Sequence, residues 1–242
     1  MKEKIKEAAK LWRYSRHPVF LTGAGISAES GIPTFRGSDG LWKNYRAEEL
    51  ATPQAFQRYP KLVWEWYNWR KKIISEKKPN SAHKTAAKMQ EIMPDMPIIT
   101  QNVDGFHKQA GANYVIEMHG NIFETFCFSC GEYSNIDTTS EELPRCKSCP
   151  EGLLRPGVVW FNESLRADVI ERIYKELNEC DLIFVVGTSG IVYPAAGFAA
   201  SVKSNGGSVI EINIENASRA DISLTGKAGE ILPQILEAAV TA

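Results

Sequence analysis

The sequence predicts an α/β protein of the doubly wound parallel-sheet class with a smaller cysteine-bearing module. Three observations carry this. A short apolar run, Val19-Phe20-Leu21, ends in a glycine-rich turn. Apolar strand-like runs then alternate with helical stretches as far as Asn213. Two C-x-x-C pairs interrupt that alternation. At 242 residues the chain can form one large domain or a domain carrying an insertion. Its 28 basic and 29 acidic residues give a net charge of -1, which removes any global electrostatic drive toward nucleic acid or an anionic membrane. Met1-Lys2-Glu3-Lys4-Ile5-Lys6-Glu7 mixes charges where a signal peptide needs an apolar core, and no apolar run approaches the roughly 18 residues of a spanning helix. A cytoplasmic protein is expected, and there paired cysteines favour metal binding over disulfides.

Residues 3–16 predict a packing helix, because Ile5, Ala8, Ala9 and Trp12 recur at spacings of three and four. The strand Val19-Phe20-Leu21 runs into Gly23-Ala24-Gly25, and Ala28 completes G-x-G-x-x-A at a helix start. The first glycine permits a tight turn, the second lets a pyrophosphate approach the backbone, and the small third residue lets helix and strand pack closely. Such turns also occur without ligands, so the pattern alone leaves both readings open. A dinucleotide dehydrogenase would continue to a second strand with an acidic ribose ligand about 20 residues on. Here Gly31-Ile32-Pro33 breaks the helix instead, and Thr34, Phe35 and Arg36 lead into a polar loop with Gly37, Ser38, Asp39 and Gly40, read as a cover over the site.

Pro53 starts a short helix, and Pro60 a longer one to about Glu76. Leu62, Trp66, Trp69 and Ile73 mark the expected core stripe, with Val63, Tyr67, Arg70 and Ile74 beside it. Tyr67 and Arg70 therefore point the same way next to buried surface, where an arginine needs a partner. The ordinary alternative is Arg70 reaching solvent along its apolar stem while Tyr67 joins the core. Ser81 is the expected cap of a helix to about Met93. Residues 97–100 form a buried strand, and Gln101-Asn102-Val103-Asp104-Gly105 stand at its carboxyl end, where open α/β sheets bind ligands. The same residues are also good turn formers. A strand over 114–117 places His119 at that edge, either as a structural histidine or as a base.

Cys127-x-x-Cys130 and Cys146-x-x-Cys149 are separated by fifteen residues, the spacing of a zinc ribbon with a closed structural site. Redox dithiols and a nucleic-acid-binding ribbon are the alternatives. Cys180 precedes an apolar strand and reads as a buried hydrophobe. Val158-Val159-Trp160-Phe161 is a short apolar segment followed by Asn162 and Glu163. A helix is expected over 167–178, then the central strand 182–186, which enters the hydroxyl-rich turn Gly187-Thr188-Ser189-Gly190. Pro194 opens a further helix, and a strand over 208–212 ends at Asn213.

The ordered set G-A-G-I-S, G-I-P-T-F-R, T-Q-N-V-D, M-H-G, the paired C-x-x-C motifs, V-V-W-F, G-T-S and I-N resembles the sirtuins, NAD-dependent protein lysine deacylases, from about Phe20 to Asn213. The resemblance implies a Rossmann-like NAD-binding domain over residues 1–33, 81–120 and 156–242. It also implies a smaller domain built from two insertions, helical at 34–80 and zinc-bearing at 121–155, with NAD and acylated-lysine protein or peptide meeting in the cleft between. It assigns Gly23, Ala24, Gly25, Phe35 and Arg36 to the NAD loop, and Gln101, Asn102 and Asp104 to the nicotinamide and ribose region. Gly187, Thr188, Ser189 and Asn213 match positions near phosphate or adenosine ribose. His119 matches the family's catalytic base. Val158, Val159, Trp160 and Phe161, with residues 190–193 including Val192, match the strands that sandwich substrate backbone. Structural zinc would be held by Cys127, Cys130, Cys146 and Cys149. Asn162 departs from the pattern, since the family commonly has glycine after the phenylalanine.

In this reaction loss of nicotinamide builds oxocarbenium character at the ribose carbon while the acyl oxygen attacks the opposite face. The protein must therefore orient, exclude water and supply a base for a ribose hydroxyl. Free lysine, nicotinamide and O-acyl-ADP-ribose are the products. The Tyr67-x-x-Arg70 pair further resembles the subgroup that removes malonyl, succinyl or glutaryl groups, and T-F-R-G in place of the commoner D-F-R agrees. An acyl carboxylate would meet Arg70 and Tyr67, and the small Ala47 and Ala51 would leave it room. The competing readings are a mainly deacetylating enzyme, a hydride-transferring dehydrogenase, and a non-catalytic NAD-binding zinc-ribbon protein. Oligomeric state has no signature in the sequence.

Overall fold

The computed structural model describes residues 1–34, 45–134, 142–149, 151–215 and 220–241. Helix α1 (Lys2–Tyr14) buries Ile5, Ala8, Ala9 and Trp12, the expected stripe. Strand β1 (Pro18–Thr22) is buried at every residue, as a strand covered on both faces must be. The chain continues through α2 (Ala24–Ala28), α3 (Ala47–Leu50), α4 (Pro53–Arg58), α5 (Pro60–Ser75), α6 (Ser81–Ile92), β2 (Ile98–Thr100), α7 (Phe106–Gln109) and β3 (Val115–Glu117). Then follow β4 (Gly120–Cys127), β5 (Tyr133–Ser134), β6 (Leu154–Val158), α8 (Ala167–Glu179), β7 (Leu182–Val186), α9 (Ala195–Ser204), β8 (Ser208–Asn213), β9 (Ile222–Thr225) and α10 (Ala228–Val240).

Six strands form a parallel sheet in the order β3-β2-β1-β7-β8-β9, the Rossmann-like doubly wound arrangement. Side chains alternate between its two faces. Phe20 and Phe184, paired in register and stacked with centroids 4.7 Å apart, face α1, α6 and α10. Val19, Leu21, Ile183 and Val185 face α8 and α9. Sheet order reverses between β1 and β7, so their carboxyl ends flank the crevice where such sheets bind ligands. A separate antiparallel sheet, β5-β4-β6, shares a hydrophobic cluster with α3, α4 and α5. The Trp64 indole N–H, donating to the Leu154 carbonyl at 2.9 Å, ties α5 to β6. Among the described residues no helix is long and apolar enough to cross a membrane.

Several local expectations change. The buried face of α5 centres on Val63, Tyr67, Arg70 and Ile74, with Trp66, while Leu62, Trp69 and Ile73 are only half-buried. The helix is rotated because it packs against β4 and β6 as well as its helical neighbours. Asn80, not Ser81, caps α6: its side chain accepts from the N–H groups of Ala82 and His83 at 2.9 and 3.4 Å, and His83 Nδ1 accepts the Asn80 N–H at 3.3 Å. Within the segment 158–161 only Val158 belongs to a strand, because the Val159 and Phe161 N–H groups turn to the carbonyls of His119 and Ala51. Asn162 then adopts φ +68°, the left-handed conformation that asparagine tolerates better than most L-residues. The turn that suits glycine is thus kept. The strand β9 and the helix α10 complete the sheet and one layer beyond the last expected strand.

Candidate active site

The site is built where two glycine turns touch. The Gly23 N–H donates to the Val186 carbonyl at 3.0 Å and the Gly25 N–H to the Gly187 carbonyl at 2.8 Å. A Cβ at Gly25 would lie 2.8 Å from Gly187 Cα, and one at Gly187, whose φ is +61°, would lie 2.4 Å from the Ile26 nitrogen. Glycine is therefore required here first for turn-to-turn packing, before any approach of phosphate. Ala24 and Gly25 still reach the surface at the start of α2, and Ser189 and Gly190 are exposed across from them. The polar rim is preorganised: Gln101 Nε2 donates to Thr188 Oγ1 at 3.1 Å, and Asn213 Nδ2 to the Thr188 carbonyl at 2.9 Å.

Beneath the rim lies a buried polar network. Asn102 Nδ2 donates to the Gly23 carbonyl and to Ser27 Oγ, both at 3.0 Å. Ser27 gives its proton to Asp104 Oδ2 at 2.7 Å, so His83 Nε2, 3.3 Å from Ser27 Oγ, acts as a donor and Nδ1 as acceptor for the Asn80 N–H. Burial raises the Asp104 pKa, opposed by the Phe106 N–H and Ser27 hydroxyl bonds. Burial lowers His83 to about 4. It also holds His107 well below its ordinary value, with His83 adding to the effect. Both imidazoles are thus neutral at neutral pH. Asn102 and Asp104 are both buried and follow the carboxyl end of β2, with Asp104 Oδ1 accepting the Phe106 N–H at 2.9 Å. Ser27, His83 and His107 went unread as site residues; His83 at the third position of α6 and the serine of G-A-G-I-S were the available signals.

His119 follows β3 and is half-buried, with Nδ1 3.0 Å from the Gln101 carbonyl. A carbonyl only accepts, so Nδ1 carries the proton and the neutral ring leaves its lone pair on Nε2. Burial lowers the pKa of His119, partly offset by that carbonyl bond. The ring is therefore chemically equipped as a base near neutral pH.

Arg70 does not point to solvent. It is 7% exposed, its guanidinium 5.5 Å from the Trp66 ring centroid. Burial lowers its pKa, while Tyr67 and Asp104 favour the charged form. Tyr67 is buried against Trp66 and accepts the Trp160 indole N–H at 2.8 Å, which leaves its own proton to be donated. Burial raises the Tyr67 pKa far above its usual value, so it remains a neutral donor. Ala47, Ala51, Val158 and Trp160 belong to the same cluster. Phe161 is exposed, and Val159 and Val192 half-buried. Phe35 and Arg36 lie outside the described residues.

Cys127, Cys130 and Cys146 bring their sulfurs within 4.8 Å of one another, and Cys149 packs on the same cluster. The 3.8 Å separation of the Cys130 and Cys146 sulfurs matches the edge of about 3.8 Å in a tetrahedron with Zn–S bonds of about 2.3 Å. Cys127 Sγ accepts the Cys130 N–H at 3.4 Å, and a Cβ on Gly152 would lie 2.5 Å from Cys127 Sγ and 3.1 Å from Cys149 Sγ. This donor set fits a structural zinc ion.

Comparison with known proteins agrees with this geometry. Residues 23–194 match the family described as the Sir2 family. An NAD-dependent protein deacylase of Pyrococcus furiosus is 51% identical, the match covering 96% of this chain and 97% of the relative. One from Thermococcus kodakarensis is 49% identical over 96% and 94%. A solved Sir2 homolog–NAD complex superposes with a TM-score of 0.91 at 44% identity, covering 98% of this chain and 94% of that one. A Sir2 complex with deacetylated p53 peptide and 3′-O-acetyl ADP-ribose gives a TM-score of 0.83 at 33% identity over 96% and 97%.

One zinc ion per chain is expected by elemental analysis. Verified removal by a chelator should abolish deacylation and lower the thermal unfolding temperature, because closed thiolate sites contribute folding free energy directly. Zinc-free protein of unchanged activity and stability would contradict a structural role.

Proposed function

The chain belongs to the Sir2 family and is an NAD-dependent protein deacylase; on that premise we propose that it acts on acylated lysine with a preference for carboxylate-tipped groups such as succinyl and malonyl. The observation that carries the preference is the burial of Arg70 and Tyr67 together on one face of α5, with the Tyr67 proton left to be donated. A buried cation and a neutral donor together suit an anion better than an acetyl methyl.

NAD, consumed as co-substrate, supplies an electrophilic ribose carbon once nicotinamide leaves. In this reading Gly23, Ala24, Gly25, Phe35 and Arg36 hold the cofactor, with Gly187, Thr188, Ser189 and Asn213 toward phosphate and adenosine ribose. Gln101, Asn102 and Asp104 orient nicotinamide and its ribose, while Val158, Val159, Trp160, Phe161 and Val192 receive peptide backbone. His119 takes a ribose hydroxyl proton at Nε2. Cys127, Cys130, Cys146 and Cys149 complete the zinc site. The division into residues 1–33, 81–120 and 156–242 against 34–80 and 121–155, and a cytoplasmic location, belong to the same proposal.

His119→Ala should leave NAD binding in place and cut kcat by about a hundredfold or more, the scale of general base catalysis. Since His119 must be neutral and its pKa lies below the ordinary 6.5, kcat of the unmodified enzyme should fall on the acid side with a midpoint under that value. A mutant retaining near-normal turnover would remove the assignment.

A charge-assisted hydrogen bond is worth about 1.5–3 kcal/mol, so the pocket should favour succinyl-lysine over acetyl-lysine by roughly a hundredfold in kcat/KM. Arg70→Met keeps the apolar stem and should erase that ratio. Equal losses on both peptides would make Arg70 structural, and no loss on either would remove it from the pocket.

A further inference from the structure

Trp160, whose indole meets Tyr67, is itself gripped by two residues that carry no role in the reaction as described above. Its backbone N–H donates to Glu163 Oε2 at 2.8 Å, and the Arg155 guanidinium lies over its ring, 3.5 Å from the centroid. Arg155 and Glu163 form a forked ion pair, Nη1 to Oε1 and Nη2 to Oε2, the latter at 2.8 Å. Nη2 also donates to the Val158 carbonyl at 2.7 Å. The side chains are only 13% and 23% exposed. Burial alone would raise the Glu163 carboxyl, but the Arg155 and Trp160 bonds prevail and hold it below the usual range. The indole is therefore fixed at its backbone, at its ring face and at Nε1, with Phe56 against another side.

We propose that Arg155 and Glu163 are positioning residues that set acyl selectivity by holding Trp160, and through it the Tyr67 hydroxyl, in the geometry that presents a proton to the acyl tip. The inference rests on the acidic-acyl reading. A bidentate guanidinium–carboxylate pair fixes orientation as well as distance, which a single lysine contact does not. An indole free to tilt would release the Tyr67 oxygen, which could then turn its proton elsewhere. The clamp also abuts the metal module: Phe128, between Cys127 and Cys130, lies 5.9 Å from the Arg155 guanidinium and packs tilted against Trp160.

The test is steady-state kinetics with succinyl- and acetyl-lysine forms of one peptide. Wild type, Glu163→Gln, Arg155→Lys, Trp160→Phe, Arg70→Met and the double variant Glu163→Gln/Trp160→Phe are compared. Glu163→Gln and Arg155→Lys, which leave the residues that receive peptide backbone unchanged, should each raise the succinyl-peptide KM about tenfold relative to the acetyl-peptide KM, with the KM for NAD unchanged. The double variant should lose no more succinyl preference than Trp160→Phe alone, since both changes act on one bond. Arg155→Lys carries the test if Glu163→Gln fails to fold. Equal losses on both acyl peptides, or additive losses in the double variant, would overturn the clamp. A wild type without succinyl preference overturns the acidic-acyl reading and this inference together. A wild-type preference that Arg70→Met abolishes and the clamp variants leave intact overturns this inference alone.

Discussion

Direct backbone contact between the turns after β1 and β7 is the constraint on which the site depends. Gly25 and Gly187 approach so closely that no Cβ fits at either position without displacing main chain. This contact closes the floor of the crevice at the point where sheet order reverses, and leaves Ala24, Gly25, Ser189 and Gly190 along its lip. Three polar side chains of the site bond to that floor: Asn102 bonds the Gly23 carbonyl, Gln101 bonds Thr188, and Asn213 bonds the Thr188 carbonyl. Preorganisation of this kind spares these two turns the entropy cost of ordering when a cofactor binds.

Desolvation does the chemical tuning. The same burial that raises Asp104 lowers His83, His107 and His119, so the imidazoles are neutral where the carboxyl is kept bonded to Ser27 and the Phe106 N–H. His119 differs from the other two in being only half-buried, with Nδ1 committed to a carbonyl. His83 and His107 instead spend Nε2 on Ser27 and Thr22 inside the protein. The Nε2 of His119 is thus left for the proton exchange we propose, while His83 and His107 bond within the scaffold.

Much of this was legible in the sequence because it rests on local rules. The glycine turn, the strand ends at Gln101 and His119, and the paired cysteines each follow from strand length, turn chemistry or ligand spacing. What escaped was set by tertiary contact. The rotation of α5 toward Tyr67 and Arg70 depends on β4 and β6, which come from distant sequence. Choosing Asn80 over Ser81 as cap depended on Asn80 also donating to the Ile26 carbonyl at 2.7 Å and to Ser30 Oγ at 3.0 Å. Arg155 and Glu163 carry no local signature, because an arginine eight residues from a glutamate becomes a pair only when the chain between them turns at Asn162.

These features describe an NAD-dependent protein deacylase, for which we propose a preference for acidic acyl groups on lysine. The most direct measurement is product analysis by mass spectrometry, with purified protein, NAD and a succinyl-lysine peptide followed over time. The account predicts nicotinamide, O-succinyl-ADP-ribose and free-lysine peptide appearing in equal amounts, and none of them without the acylated peptide. Formation of NADH, or nicotinamide release that does not depend on the succinyl group, would contradict it.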